Sequence, residues 1–334
     1  MKGLAEPSLR NLSSEVEAKL TAWRDPSRPE RLRTWVDQMA RPRNRMTGRA
    51  AQFEVQRFLE QILTVFGWEV QRQTFKVTQE MARLATNLPP GADWKDLVGL
   101  EGVNLIARRP GRGANRILAA HYDSLHGSPG ADDNASALAV ILEVASLKPE
   151  APLSLVCFDM EEWNLLGARH FVQNLDHPPE VAIVLESVGY LDCQPRSQRA
   201  PQQLAPLFPG QFEKLRENEF RGDFTLLVYR QGALEATRRL AEGLAWQGGI
   251  EAVLMMRDPL EVMRRPSAEF EQLVRSFGRS DHLAFWEAGL PALMVTDTAD
   301  FRNPHYHKPS DLPASLNYRR MSEVALATAA ALVH

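Results

Sequence analysis

Four short apolar runs in this chain each end on a residue suited to acid–base or ligand chemistry, and that regularity narrows the folds available. Arg116–Ala120 runs into His121, Leu153–Phe158 stops just before Met160-Glu161-Glu162, Val181–Leu185 ends on Glu186, and Pro291–Thr296 ends on Asp297. Runs of this length that are apolar without alternation read as strands buried on both faces. Between the first two lies Asn134–Leu147, apolar nearly all round and therefore a buried helix. Strands alternating with helices predict an α/β fold: one domain on a mostly parallel, mixed central β-sheet flanked by helices on both faces. In such open sheets ligands bind beyond the carboxyl ends of the strands, which is where this chain places its imidazole and its acids.

The rest of the chain is read around that centre. Residues 1–48 form an arginine-rich helical lead-in whose apolar positions Trp35, Val36 and Met39 recur at helical spacing, so its arginines are expected on a solvated face. Ala50–Phe66 is an amphipathic helix stopped by Gly67, and Trp68–Val77 and Val103–Ala107 are strand-like. Residues 190–280 read as a loop-rich insertion, with a strand at Phe224–Tyr229, a helix at Ala233–Trp246 and a long irregular stretch at Pro259–Ser280. The balance of 39 basic against 42 acidic residues lacks the uniform basic footprint of a nucleic-acid or anionic-membrane binder. No apolar run is long enough to span a bilayer. Two cysteines, Cys157 and Cys193, and no apolar stretch after Met1-Lys2 point to a reducing cytoplasm.

Three blocks carry the chemistry. The first, Ala120-His121-Tyr122-Asp123-Ser124 followed by a Gly/Pro loop and Asp132-Asp133-Asn134, puts imidazole and carboxylates on a loop that can turn back on itself. That is a metal-binding composition, although a solvated acidic loop capping a helix has the same look. The second, Met160-Glu161-Glu162, either opens a helix or divides labour between a ligand and a general base. The third joins Ser280-Asp281-His282 to a run from Pro291 through Asp297 to His305-Tyr306-His307 and Asp311. Five of the chain's eight histidines fall in the first and third blocks, and together with so many carboxylates they point to a metal site.

In order and separation, the motifs HYDS, GADDNAS, MEE followed by LLG, a strand ending in an acid, SDH with Phe three residues on, and HYHKPSD resemble the co-catalytic dizinc aminopeptidases of the bacterial leucyl-aminopeptidase type, in the MH clan of metallopeptidases. The resemblance spans roughly residues 50–330. It implies a zinc exopeptidase fold of the phosphorylase/hydrolase-like kind and two zinc ions per chain, one held by His121 and Glu186, the other by Glu162 and His307, with Asp133 bridging them. It implies Glu161 as general base on a metal-activated water and Tyr306 as hydrogen-bond donor to the oxyanion. Asp123 would orient His121, and His282 would stand behind the ligands or serve a structural role. Trp163, next to the glutamate pair, either lines the pocket for the first side chain or packs as a helix residue. The resemblance also implies a cis peptide at Asp133–Asn134 and, as substrate, a peptide with a free N-terminus.

The third-strand ligand of the family is often Asp, and this chain offers Glu186. A glutaminyl-cyclase-like acyltransferase with one zinc, a carboxypeptidase using Arg302 for the substrate carboxylate, and a non-catalytic binding protein remain as alternatives. Ligands as far apart as 121 and 307 must meet within a few ångströms, so residues 49–334 are expected to form one peptidase domain.

Overall fold

The computed structural model describes residues 4–109, 115–263 and 265–333. Among these residues, eight strands form a single sheet: β1 (Glu69–Lys76), β2 (Glu101–Arg108), β3 (Arg116–His121), β4 (Leu153–Phe158), β5 (Val181–Glu186), β6 (Thr225–Tyr229), β7 (Val253–Arg257) and β8 (Ala292–Thr296), in the spatial order β1-β2-β4-β3-β5-β8-β6-β7. The inner ladders β4/β3, β3/β5 and β5/β8 are parallel, as is β6/β7 at one margin. The ladders β1/β2, β2/β4 and β6/β8 are antiparallel. Every residue of β4 and β5 is buried, which is why both read as unbroken apolar runs.

Helices are α1 (Ser14–Ala22), α2 (Arg28–Met39), α3 (Arg49–Val65), α4 (Gln79–Leu84), α5 (Ala137–Leu147), α6 (Leu166–Gln173), α7 (Pro209–Glu217), α8 (Leu234–Gly248), α9 (Ala268–Val274), α10 (His282–Glu287) and α11 (Tyr318–Val333). Strand residues alternate between two cores, as the pleat requires. Leu118 and Ala120 of β3 and Ile183 and Leu185 of β5 face a core shared with α2, α3, α5, α8 and α11. Ile117, Ala119, Ala182 and Val184 face the other, shared with α6, α7, α9 and α10. On the first face α8 and α11 approach closely at Gly243, where a Cβ would lie 3.1 Å from the Ala327 Cα. No helix among the described residues is long and apolar enough to cross a membrane.

In the lead-in, Leu32, Trp35, Val36 and Met39 of α2 belong to the main core. Two expectations change. The arginines of the lead-in are not uniformly solvated. Arg28 is 2% exposed and donates from Nε to Glu143 on α5 at 2.6 Å, while Arg43 and Arg45 are buried. The segment 190–280 is more than loops, because it contributes β6 and β7 to the sheet, and residues 259–280 contain α9.

Candidate active site

The carboxyl ends of β3, β4 and β5 converge on one point. His121 ends β3 with its ring fully buried, and its Nδ1 lies 3.1 Å from the Asp123 carbonyl. A carbonyl only accepts, so Nδ1 carries a proton and Nε2 is the ring atom that faces the site. That Nε2 lies 3.2 Å from Asp133 Oδ1, 3.3 Å from Glu186 Oε2 and 3.9 Å from Glu161 Oε2.

Asp133 sits in the irregular winding 131–136 that enters α5, and the Asp133–Asn134 peptide is cis. The amides of Asp132 and Asp133 donate to the two oxygens of Asp311 at 2.9 and 3.2 Å, which fixes the turn from below. Asn134 then ties this turn to β5, donating to the Leu185 carbonyl at 3.0 Å and accepting from the Ser187 amide at 3.1 Å.

After β4 the chain passes through left-handed residues at Met160, Asn164 and Leu165. Met160 and Trp163 sink into a satellite core with Phe75, Val77 and Leu97, and the two glutamates between them are left on the site side. The Asp123 carboxylate accepts the Glu161 and Glu162 amides at 3.1 and 3.3 Å, joining the loop after β3 to the loop after β4. From the far end of the chain, His307 Nε2 comes within 3.0 Å of Asp133 Oδ2 and 3.3 Å of Glu162 Oε2.

Two groups of ligand atoms result, His121–Asp133–Glu186 and Asp133–Glu162–His307, each with its atoms within 4.8 Å of one another and with Asp133 common to both. Three buried atoms in them, His121 Nε2, Asp133 Oδ1 and Glu162 Oε1, have no hydrogen-bond partner. Orphaned buried polar atoms are costly unless something pairs them, and imidazole with carboxylate is a donor set for a divalent cation such as zinc. The residues therefore fit a metal pair.

A pocket of about 100 Å³ opens beside this centre. Glu186, Tyr306 and Arg279 stand at its ligand end, and Leu226 of β6, Leu254 and Met256 of β7 and Met294 of β8 lie among its mostly apolar lining.

The model of peptidase family M28 matches residues 104–208 and 254–332, the stretches holding all five ligand candidates. The chain belongs to that family. The uncharacterized protein YfbL of Escherichia coli (strain K12) is 32% identical to this M28 chain over 252 residues, 70% of this chain and 69% of YfbL. Two solved structures share the fold: BSAP, a zinc aminopeptidase from Bacillus subtilis (TM-score 0.65, 16% identity, 92% of this chain and 95% of that one), and the Porphyromonas gingivalis glutaminyl cyclase (TM-score 0.60, 17% identity, 91% and 97%).

Burial and neighbouring charge set the protonation of the M28 site. Burial drives the Glu161 carboxyl up, His121 opposes this, and Glu186, Asp281 and Glu162 push it further, so it lies well above the carboxylate range. Burial also works against ionising Asp133, yet the two imidazoles that face it hold its carboxyl far below that range. His307 loses by burial and gains more from Glu162 and Asp133, ending at about 10. Burial and the surrounding acids keep the Tyr306 hydroxyl protonated well past its usual value. Its ring stacks on His307 at 3.9 Å, and Arg279 Nη2 lies 3.4 Å from its hydroxyl.

Three assignments are corrected. Trp163 is 1% exposed in the satellite core and does not line the pocket, because the left-handed turn after Met160 directs it inward. His282 faces away from the ligands: its Nε2 is 2.7 Å from the Phe277 carbonyl, its ring meets Trp286 edge-on at 4.5 Å, and burial keeps it neutral with a pKa near 4. Arg302 is 5% exposed, with Nε on Gln198 and Nη1 on the Phe224 carbonyl, and so does not reach the site.

The site also holds residues that sequence reasoning passed over. Asp281, next to His282, is fully buried with neither oxygen hydrogen-bonded, and His121 and Glu186 are among the charges acting on it. Its neighbour Ser280 donates to Glu186 Oε2 at 2.7 Å. The Ser280-Asp281-His282 motif was the available signal, with the imidazole taken for the member facing the site.

Proposed function

We propose that this M28 peptidase is an aminopeptidase that binds two zinc ions, one at His121, Asp133 and Glu186 and the other at Asp133, Glu162 and His307, and removes the first residue from peptides with a free N-terminus. The observation that carries this reading is the pair of ligand groups sharing Asp133, with a carboxylate outside both, Glu161, 3.9 Å from His121. Zinc bound there supplies Lewis acidity to the scissile carbonyl and makes water a nucleophile at neutral pH.

The chain's own groups do the rest. Glu161, with its affinity for protons raised by burial, accepts the proton of the attacking water and returns it to the departing amine. Tyr306, protonated at working pH, donates a hydrogen bond to the carbonyl oxygen as it gains charge. The carboxylates of Glu161 and Glu186 beside His121 suit the substrate ammonium, and the apolar walls of the pocket suit an apolar first side chain.

A carboxyl-end reading would need a guanidinium for the substrate carboxylate: Arg302 is turned to Gln198 and the Phe224 carbonyl, and Arg279, which lines the pocket, holds Asp300 with Nη1 at 2.5 Å, so the N-blocked arm of the panel below decides between the two ends. An aminopeptidase and a glutaminyl cyclase share this fold, so the fold does not choose between them; two complete ligand groups favour the peptidase. A cytoplasmic location, supported by two unpaired cysteines, Cys157 buried and Cys193 exposed, belongs to the same reading and is tested by cell fractionation.

The deciding experiment is a panel of aminoacyl anilides with N-blocked peptides and N-terminal glutaminyl peptides, assayed with and without chelator, alongside zinc counting. Hydrolysis of anilides bearing apolar residues, abolished by chelator, with two zinc ions per chain, is expected. A zinc-loaded protein that cleaves no anilide, or that only cyclises glutaminyl peptides, overturns the reading.

A further inference from the structure

The short irregular segment 41–48 between α2 and α3 lies outside both stretches matched by the family model, and its middle residues Arg43, Asn44 and Arg45 are nevertheless buried. Arg43 has no solvent exposure. Its Nε donates to the Tyr122 carbonyl at 2.7 Å, Nη1 to the Pro129 carbonyl at 2.6 Å and Nη2 to the Gly130 carbonyl at 2.9 Å, with Nη1 also on the Met39 carbonyl at 3.0 Å. Its main chain pairs with the same loop, the Arg43 amide donating to Ser124 Oγ at 3.1 Å and the Ser124 amide to the Arg43 carbonyl at 2.9 Å. One guanidinium thus grips both ends of the loop 122–130. Gly130 permits the grip, being left-handed (φ +60°) and so close that a Cβ would sit 3.1 Å from Arg43 Nη1.

Two residues further on, Arg45 grips the other ligand loop. Its Nε and Nη2 lie 2.9 and 2.5 Å from Asp159 Oδ2, at the head of the turn that carries Glu161 and Glu162. The Val103 amide donates to the same oxygen, and Gln52 donates to the other, Oδ1.

We propose that segment 41–48 is a clamp on the metal centre, in which Arg43 acts as a positioning residue that holds the loop from Tyr122 to Gly130 so that His121 and Asp133 present their ligand geometry, and Asp123 its supporting contacts, before metal binds. The path is short. Arg43 fixes the carbonyls on either side of Asp123, the Asp123 carbonyl orients His121, the Asp123 carboxylate holds the amides of Glu161 and Glu162, and Gly130 sets the entry to Asp133. The buried cation also faces the site's acids, Asp133, Asp123, Asp311 and Glu162 all acting on it. Outer groups that orient ligands govern metal affinity as well as activity.

The proposal rests on the metal reading above, and its test separates the two. Zinc affinity of the full chain is measured by competition with a chromophoric chelator, together with circular dichroism and Tm, for Arg43→Ala, Arg43→Lys and the control Arg28→Met, an arginine equally buried but engaged with Glu143 on α5. Arg43→Ala is expected to weaken zinc about tenfold to a hundredfold with secondary structure retained. Arg43→Lys should lie between it and the parent, because an ammonium cannot span carbonyls at both loop ends. Arg28→Met should lower Tm and leave zinc affinity unchanged. Parental zinc affinity in a folded Arg43→Ala overturns the clamp, as does an equal loss in Arg28→Met. If Arg43→Ala does not fold, Arg43→Lys decides: weakened zinc binding supports the clamp and parental affinity overturns it. A parent chain that binds no zinc overturns the metal reading instead.

Discussion

The inner and outer strands of the sheet divide the work. Strands β3, β4, β5 and β8 each lead into a catalytic-face residue: His121, the Asp159–Glu162 turn, Glu186 and Asp297. Strands β6 and β7 end on no ligand and wall the pocket with Leu226, Leu254 and Met256. Strands β1 and β2 support the back of the Glu161–Glu162 turn through Phe75 in the satellite core and the Val103 amide on Asp159. The parallel centre therefore holds the chemistry, and one antiparallel-linked margin shapes what fits.

The sharpest way to break this division is at the shared ligand. Asp133→Ala removes an atom from both groups, so zinc content measured by metal analysis should collapse and turnover should fall below detection; retention of both metals would mean that Asp133 bridges nothing. Glu161→Gln should cost about 10²–10⁴-fold in kcat while the bound zinc stays at the parental level. Met256→Trp in β7 fills the pocket. It should lower kcat/KM for leucyl and phenylalanyl anilides by about 10- to 100-fold, with alanyl anilide little changed, as a volume effect in an apolar pocket predicts. An equal loss on every substrate would show that the margin reaches into the chemistry.

The smallest effect is in pH. In the metal-free protein the pKa of His307 is raised from 6.5 to about 10, so its proton is bound at neutral pH and zinc must displace it. Apparent zinc affinity should rise with pH by up to about tenfold per unit for each proton released, read by calorimetry in buffers of different ionisation enthalpy. The sign for stability is the opposite. A raised imidazole pKa stabilises the fold fully below 6.5 and loses that contribution as pH climbs through about 10, so the Tm of chelator-treated protein should fall across that window.

The inner strands were legible because burial on both faces leaves an unbroken apolar run, and the polar residue that ends each run marks its carboxyl end. Strand β7 was not. Val253–Arg257 is a five-residue marginal strand that follows a 3₁₀ turn, and its apolar run is too short to tell from a buried helical turn. Direction of side chains was the other blind spot. Trp163 and Glu162 are neighbours that point to opposite sides, and so are His282 and Asp281, because local backbone geometry fixes the direction and spacing alone does not. The arginines at 43 and 45 looked like a solvated charged face because their partners are carbonyls and a carboxylate about eighty to more than a hundred positions away. Composition carries no trace of such pairings.

The dependence of Asp133 on residues near the other end of the chain bears on how the enzyme comes into being. Its amide rests on Asp311 and its carboxylate faces His307, so a polypeptide still being synthesised, or one terminated before these residues, lacks one whole ligand group and the support of the bridge. Both ligand groups are therefore complete only once residues 307 and 311 have joined the sheet's carboxyl edge, which ties the assembly of the site to the last part of the chain to be synthesised.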